Sequence, residues 1–277
     1  LGISTRKKFA ISMIGAAASS IVFSRLFETQ WLELHQEQIP LGLDVPLRLL
    51  HLSDLHASDL VPYDYLEEAI ELGLGYQPDL ICITGDFITN RIPDKKTYRR
   101  LLQKLSAAAP TFGSFGNHDG GDWIIKKGGY KTLDPVGDLL GESDIVPLRN
   151  ESRVIEVNGQ QLRMVGLGDL WAADLLPKKD LFNAKGEHIP TIVLSHNPDT
   201  KDHLKPYPWQ LLLAGHTHGG QFRLPGIGAP IAPVRDMRFV EGLHHWDERW
   251  LHVSRGIGNV YGFRINCRPQ VSILDLT

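Results

Sequence analysis

Apolar residues along this chain fall into short runs that stop abruptly at polar residues. "LRLLHL" (Leu47–Leu52) ends in "SDLH", "DLICIT" (Asp79–Thr84) ends in "GDF", and "TFGSFG" (Thr111–Gly116) ends in "NHDGG". Runs of this length, bounded by Gly and Asp, predict buried β-strands. Between them, apolar positions at helical spacing predict helices over Tyr63–Leu74, Lys95–Ala108 and Tyr130–Leu140. Strands that alternate with helices imply crossover connections and a largely parallel sheet.

The second half is patterned differently. "RVIEVNGQQLRMVGLG" reads as two strands joined at Asn158-Gly159, a strong hairpin signal. "TIVLSH" and "QLLLAGH" add two apolar strands, and Phe239 to Leu276 alternates like antiparallel strands. No Ser/Gly/Pro-rich linker divides the halves. The expectation is one α/β domain of two packed sheets with outer helices, spanning 47–277.

Residues 1–46 differ in kind. Arg6, Lys7 and Lys8 precede a mildly apolar run from Ala10 to Phe23. That run is short and Ala/Ser-rich for a membrane span. It reads as a signal-peptide core with "AAA" at Ala16–Ala18, and Arg6-Lys7-Lys8-Phe9 resembles a twin-arginine export signal. A retained amphipathic anchor is the alternative. Phe27, Trp31 and Leu34 continue it at helical spacing and could lie on a membrane surface.

Composition narrows the function class. The chain has 277 residues, 42% hydrophobic, enough for a sizeable core. A formal net charge of -3 argues against nucleic-acid binding driven by bulk charge. Cys82 and Cys267 form no C-x-x-C pair, and Cys82 reads as a buried strand residue.

The chemistry lies where the strands stop. Asp54 and His56 follow the first run, Asp86 the second, and Asn117, His118 and Asp119 the third. His196 follows "TIVLS", and His216 and His218 follow "QLLLAG". Sites in open α/β sheets form outside the carboxyl ends of strands. The inventory is N and O donors without thiolate, which suits Mn, Fe or Zn. It is too large for one ion, and Asp86, central and preceded by Gly85, is the natural bridge between two. Two such ions activate water and clamp a phosphoryl group in displacement. His51, His203, His244, His245 and His252 fall outside this pattern and read as surface or structural.

Taken in order, "DLH", "GDF", "GNHD", "SH" and "GHTH" resemble the calcineurin-like binuclear metallophosphoesterases. "GLGDLW", "SHNPD", "AGHTHGGQ" and "RGIGNVYGFRINCRPQV" resemble the bacterial YaeI-type phosphodiesterases and the related LpxG-type UDP-2,3-diacylglucosamine pyrophosphatases. The resemblance implies a four-layer αββα sandwich, two mixed sheets flanked by helices. It implies that Asp54, His56 and His218 hold one ion, that Asn117, His196 and His216 hold the other, and that Asp86 bridges. His118 would contact the scissile phosphate and Asp119 would orient the His118 ring. Manganese is the expected metal, with iron or zinc as alternatives.

The substrate signal is weaker. Arg223 and Trp171 are candidates for binding a phosphodiester or lipid-linked nucleotide. The leading expectation is a membrane-associated UDP-2,3-diacylglucosamine pyrophosphatase releasing UMP in lipid A synthesis, on the cytoplasmic face of a bacterial inner membrane. An exported, broad-specificity envelope phosphodiesterase is the alternative, and a non-catalytic metal-binding scaffold is a third.

Overall fold

The computed structural model describes residues 23–25, 27–183 and 187–277. The signal or anchor expected before Phe23 lies outside the described residues. Among those described, no helix is long and apolar enough to cross a membrane.

Two six-stranded sheets pack face to face. The first has the order β1 (Glu33–Ile39), β12 (Gln270–Leu276), β2 (Leu47–Leu52), β3 (Leu80–Thr84), β4 (Thr111–Ser114), β5 (Val146–Pro147). From β2 to β5 its strands run parallel, and β12 is antiparallel to β2. The second has the order β10 (Gly242–Trp246), β11 (Arg249–Val253), β9 (Leu211–Ala214), β8 (Thr191–Leu194), β7 (Gln160–Gly166), β6 (Glu151–Val157). Its middle strands are parallel, and its edges, including the expected Asn158-Gly159 hairpin, are antiparallel.

Side-chain alternation sorts each strand between two cores. On β2, Leu50 and Leu52 face the helices while Leu49 faces the other sheet; on β3, Ile81 and Ile83 divide in the same way from Leu80 and Cys82. Helices α1 (Tyr63–Leu74), α2 (Lys95–Ala108) and α4 (Asp134–Glu142) flank the first sheet. Asp94 starts α2 by accepting hydrogen bonds from the N–H groups of Lys96 and Thr97. Beyond the second sheet, 3₁₀ turns and loops bury Leu181, Phe182, Leu204 and Phe239 against Leu212 and Ala214.

Three local expectations change. The sheet begins before Leu47, because Glu33–Ile39 pairs in parallel with β12. Leu34 therefore sits in a strand, and the helical stripe through Phe27 and Trp31 does not continue to it. The helix expected from Tyr130 starts at Asp134, where Pro135 occupies a first-turn position. A four-residue helix, α3 (Asp122–Ile125), precedes it without a pattern that announced it.

Candidate metal centre and active site

The strand ends deliver nine buried side chains to one place: Asp54 after β2, Asp86 after β3, Asn117, His118 and Asp119 after β4, His196 after β8, His216 and His218 after β9, with His56 beside Asp54. The turns that carry them are unusual. Asp54, His56, Asp86, His216 and His218 all adopt left-handed backbone, with φ of 51°, 48°, 52°, 68° and 50°. A non-glycine residue held there costs of order 1–3 kcal/mol, and such outliers cluster at functional sites. The backbone also passes close: a Cβ on Gly116 would collide with the Asp86 carboxylate, and one on Gly215 with that of Asp54.

Asp86 is central. Its Oδ2 lies 3.3 Å from His56 Nε2 and 3.1 Å from His196 Nε2, while its Oδ1 accepts the His118 N–H at 2.8 Å. On one side, Asp54 Oδ1 is 3.3 Å from His218 Nε2, and the His56 and His218 Nε2 atoms are 3.2 Å apart. Asp54, His56 and His218 thus converge as one candidate ligand group, and Asp54, Asp86 and His196 as another. The His216 ring stands 5.0 Å from that of His196. Burial would raise Asp86, but the charges of His196 and His118 hold it well below the usual carboxylate range.

The orphans are informative. Asn117 Oδ1 and His216 Nε2 are buried without a hydrogen-bonding partner, and His196 Nε2 has only the Asp86 carboxylate beside it at 3.1 Å. Buried polar atoms are normally satisfied, so an amide oxygen and a ring nitrogen left open together, beside a second ring nitrogen that faces a carboxylate, fit a cation as the missing partner. The surroundings prepare them. His196 Nδ1 lies 2.7 Å from the Thr84 carbonyl, which accepts its N–H and leaves Nε2 as the free donor atom. The residues present therefore fit divalent ions, and an additional group of His56, Asp86 and His118 is close enough that His118 borders the same cluster.

His118 differs from the expectation in one respect. Its Nδ1 lies 2.6 Å from the Thr89 carbonyl, which orients the ring. Asp119 is occupied elsewhere: Oδ2 accepts from the N–H groups of Asp86 and Gly116 at 3.0 and 2.8 Å, and Oδ1 from Phe87 at 2.8 Å. Asp119 pins the turn that carries Asp86, because a carboxylate finds three converging backbone donors there. Burial pushes His118 down to about 4 despite the charge of Asp86.

Asp86, Asn117, His118, His216 and His218 line a cavity of about 560 Å³, whose walls include Trp123, Lys127, Trp171, Tyr261 and Phe263. Trp171, a candidate for substrate binding, is among these walls. Arg223 is not: it does not line the cavity, and its guanidinium pairs with Glu241. The positive charge of Arg223 is drawn to the nearest carboxylate rather than to the cavity.

The ordered ligands on strand ends of a two-sheet sandwich match a family model described as "Calcineurin-like phosphoesterase" over residues 47–220. The chain belongs to that family. Among calcineurin-like phosphoesterases it is 38% identical to "Phosphodiesterase YaeI" of Escherichia coli (strain K12), covering 98% of this chain and 99% of the relative. It is 27% identical to "UDP-2,3-diacylglucosamine pyrophosphatase LpxG" of Chlamydia muridarum, covering 82% and 83%. The fold is shared with the 5'-nucleotidase precursor from Thermus thermophilus, at a TM-score of 0.50 and 14% identity over 83% of this chain and 55% of that one. The YaeI/LpxG type of this family is thus the right neighbourhood, and phosphohydrolase chemistry at a metal centre follows from membership.

Several residues that build the site escaped the sequence reading. Thr89 offers only a backbone carbonyl, which no side-chain pattern marks. Asp169, in the quoted "GLGDLW", accepts from the N–H groups of Trp171 and Ala172 at 2.7 and 2.8 Å and so holds Trp171 in place. Arg264, fully buried, donates to the carbonyls of Arg255, Gly256 and Gly258. Trp123 sits in a loop bracketed by glycine pairs directly after "NHD", a signal that was present but unread.

Proposed function

We propose that the chain is a metal-dependent phosphodiesterase acting on an amphiphilic substrate at a lipid surface. The observation that carries the chemistry is the open pair of Asn117 Oδ1 and His216 Nε2 beside Asp86, whose Oδ2 faces His56 and His196 together. Asp54, His56 and His218 would hold one ion, Asn117, His196 and His216 the other, and Asp86 both. The donor set suits manganese, with iron or zinc as alternatives. When bound, the ions supply a water of lowered pKa and offset charge on the phosphoryl oxygens.

The chain's own residues do the rest. With Nδ1–H directed to the Thr89 carbonyl, His118 presents Nε2 to the cavity, where the charge of a bound phosphate would favour the protonated ring that can serve the leaving oxygen. Asp119 keeps the Asp86 turn rigid. Trp123 and Trp171 line the cavity, where they would limit bulk water.

The phosphodiesterase reading is favoured by the relative matched along almost its full length. The lipid surface is supported by exposed apolar side chains: Phe23, Phe27 and Trp31 are 48%, 58% and 48% exposed, and Leu60 and Tyr261 are 45% and 67%. Tyr261 lines the cavity, Leu60 lies beside the neighbouring Gly262, and Ser24, next to Phe23, contacts the Arg264 backbone two residues further on. A peripheral or anchored place at a bacterial inner membrane fits this arrangement, with an exported form as the alternative.

A second reading has its own support. The LpxG relatives cover four-fifths of the chain, and a nucleotide-bearing lipid would suit an aromatic-walled cavity. On that reading UMP is released from UDP-2,3-diacylglucosamine at the cytoplasmic face.

One assay separates the three readings. Manganese-loaded protein is given bis(p-nitrophenyl) phosphate and, in parallel, UDP-2,3-diacylglucosamine. Turnover of the diester alone, lost in His118→Ala, supports the phosphodiesterase. Faster UMP release, also lost in His118→Ala, supports the pyrophosphatase. No turnover of either by folded, metal-loaded protein returns the chain to a non-catalytic scaffold.

A further inference from the structure

The segment after His118 is bracketed by Gly120-Gly121 and Gly128-Gly129. Its neck is closed where the Gly121 N–H donates to the Tyr130 carbonyl at 3.1 Å, and Arg91 Nε donates to Gly128 O at 2.9 Å. The loop is therefore held at both ends. Within it, Trp123 lies on α3 and Lys127 follows one turn later.

Trp123 reaches back over the site, with its ring 4.7 Å from that of His118 and 6.0 Å from that of Trp171. Trp171 in turn stands nearly perpendicular to His216, 4.2 Å away. An aromatic wall thus runs from the His118 side of the cavity to the His216 side. Trp171 remains 42% exposed although Asp169 fixes its backbone. A large indole kept open on an anchored turn, beside buried polar residues, is what a stacking surface requires, because it loses little freedom when a ring covers it. Lys127 Nζ sits 3.6 Å from the Trp123 ring centroid and has no carboxylate partner among the described residues. Its charge is available to an anion carried by that ring.

We propose that Trp123, Trp171 and Lys127 form a binding subsite for a planar aromatic group of the substrate, an aryl ring or a nucleobase, held beside the phosphate being cleaved. The proposal rests on the phosphoesterase reading for its phosphate but not for the ring. It is independent of which lipid or head group completes the substrate.

The test compares two matched pairs by calorimetry on the full, manganese-loaded chain: phenylphosphonate against methylphosphonate, and UMP against ribose 5-phosphate. The ring-bearing member of at least one pair is expected to bind roughly five- to hundredfold tighter. The pair that shows the preference tells an aryl group from a nucleobase. Trp171→Ala and Trp123→Ala should bring the ratio close to one while leaving the ringless member within about twofold, and Trp171→Phe should retain it. Lys127→Gln should weaken the ring-bearing member and flatten its salt dependence. Equal affinities within both pairs, or a preference that survives both alanine variants, would overturn the subsite. Bis(p-nitrophenyl) phosphate turnover in the same preparations reads the underlying activity separately. Its absence would sink the phosphodiesterase reading, and the affinity ratios would still decide on the ring.

Discussion

Nδ1 of His51 lies 2.8 Å from Nδ1 of His252, one from β2 and one from β11, so two buried histidines join the two sheets directly beneath the site. One must donate and the other accept, so the accepting ring is neutral. The contact continues through His51 Nε2 to Thr84 Oγ1 at 2.8 Å, from Thr84 to Ser53 Oγ at 2.8 Å, and on to Asp54 Oδ2 at 2.7 Å. Burial pushes His252 down to about 3 and His51 well below its ordinary value, with the charges of neighbouring rings acting in the same direction. In the unfolded chain both titrate near 6.5, so the unfolded state binds more protons below that pH. Stability is therefore full above about 6.5 and is lost as pH falls toward the folded values, at up to about 1.4 kcal/mol per pH unit for each histidine. Urea midpoints of metal-free protein should fall between pH 7 and pH 5. His252→Phe should lower stability at pH 7 and flatten that slope; an unchanged slope would show that the pair does not titrate with unfolding.

Asp119 supports a prediction that separates anchoring from ring orientation. Its carboxylate accepts N–H groups of Asp86, Phe87 and Gly116. Asp119→Asn replaces an acceptor by an amide donor that faces those same N–H groups. The expected result is a stability loss of about 1–3 kcal/mol from unsatisfied donors and a roughly 10–100-fold drop in metal affinity or activity. The pH at which residual activity rises should stay where it is in the parent, because Thr89, not Asp119, holds His118. Chemical denaturation, metal titration and a pH–rate profile check the three parts.

How much was legible follows from which interactions have a sequence period. The strands were readable because Leu49, Leu80 and Leu211 repeat in alternation and end at polar residues, and the turn residues Asp54, Asp86 and His216 then had only one end of the sheet to occupy. That same logic brought Asn117 and His196 to the site. What escaped depends on distance in space rather than in sequence. Asp119 is next to His118 in the chain, yet three backbone donors from two turns capture it. Arg223 follows the histidine pair, yet Glu241 lies closer than the cavity. Strand β1 was missed because its side chains are largely half-exposed at a sheet edge and it pairs with β12 at the far end of the chain. His51 and His252 stand apart from the ligand pattern, but only the packing of one sheet on the other reveals that they meet.

Arg264 carries a third prediction. Its guanidinium donates to the carbonyls of Arg255, Gly256 and Gly258 at 2.8, 3.1 and 2.6 Å, and to Cys267 at 3.2 Å. It clamps the stretch in which Gly256 backs onto Asp54 and Gly258 onto His56, too closely for any side chain. It also lies 3.4 Å from His218 Nδ1. Arg264→Met should cost several kcal/mol, since each buried carbonyl left without a donor costs about 1–3 kcal/mol. Arg264→Lys should recover only part, since a point charge cannot span several carbonyls. Equilibrium unfolding of both variants provides the measurement, and a cost below about 1 kcal/mol for Arg264→Met would show that the clamp is dispensable.

Metal removal makes the left-handed turns measurable. Asp54, His56, Asp86, His216 and His218 hold strained backbone, and the side chains of Asp54, His56, Asp86 and His218 converge in candidate ligand groups. Without a cation, the Asp54 and Asp86 carboxylates lie close together in a buried setting, and burial and the Asp86 charge raise Asp54 above its ordinary range. Divalent ions would relieve that repulsion only in the folded chain, so they should act as ligands of the native state. At a free concentration about 100 times the dissociation constant, each independent site should add about 2.7 kcal/mol. Chelation should lower the unfolding temperature, and manganese should restore it in proportion to the logarithm of its concentration. Asp86→Asn should abolish most of that restoration, because it removes the charge facing both His56 and His196. His118→Ala should keep it while losing roughly a hundred- to ten-thousandfold in turnover. A His118→Ala protein that no longer responds to metal would move His118 into the ligand set, where its proximity to His56 and Asp86 would then be read as coordination.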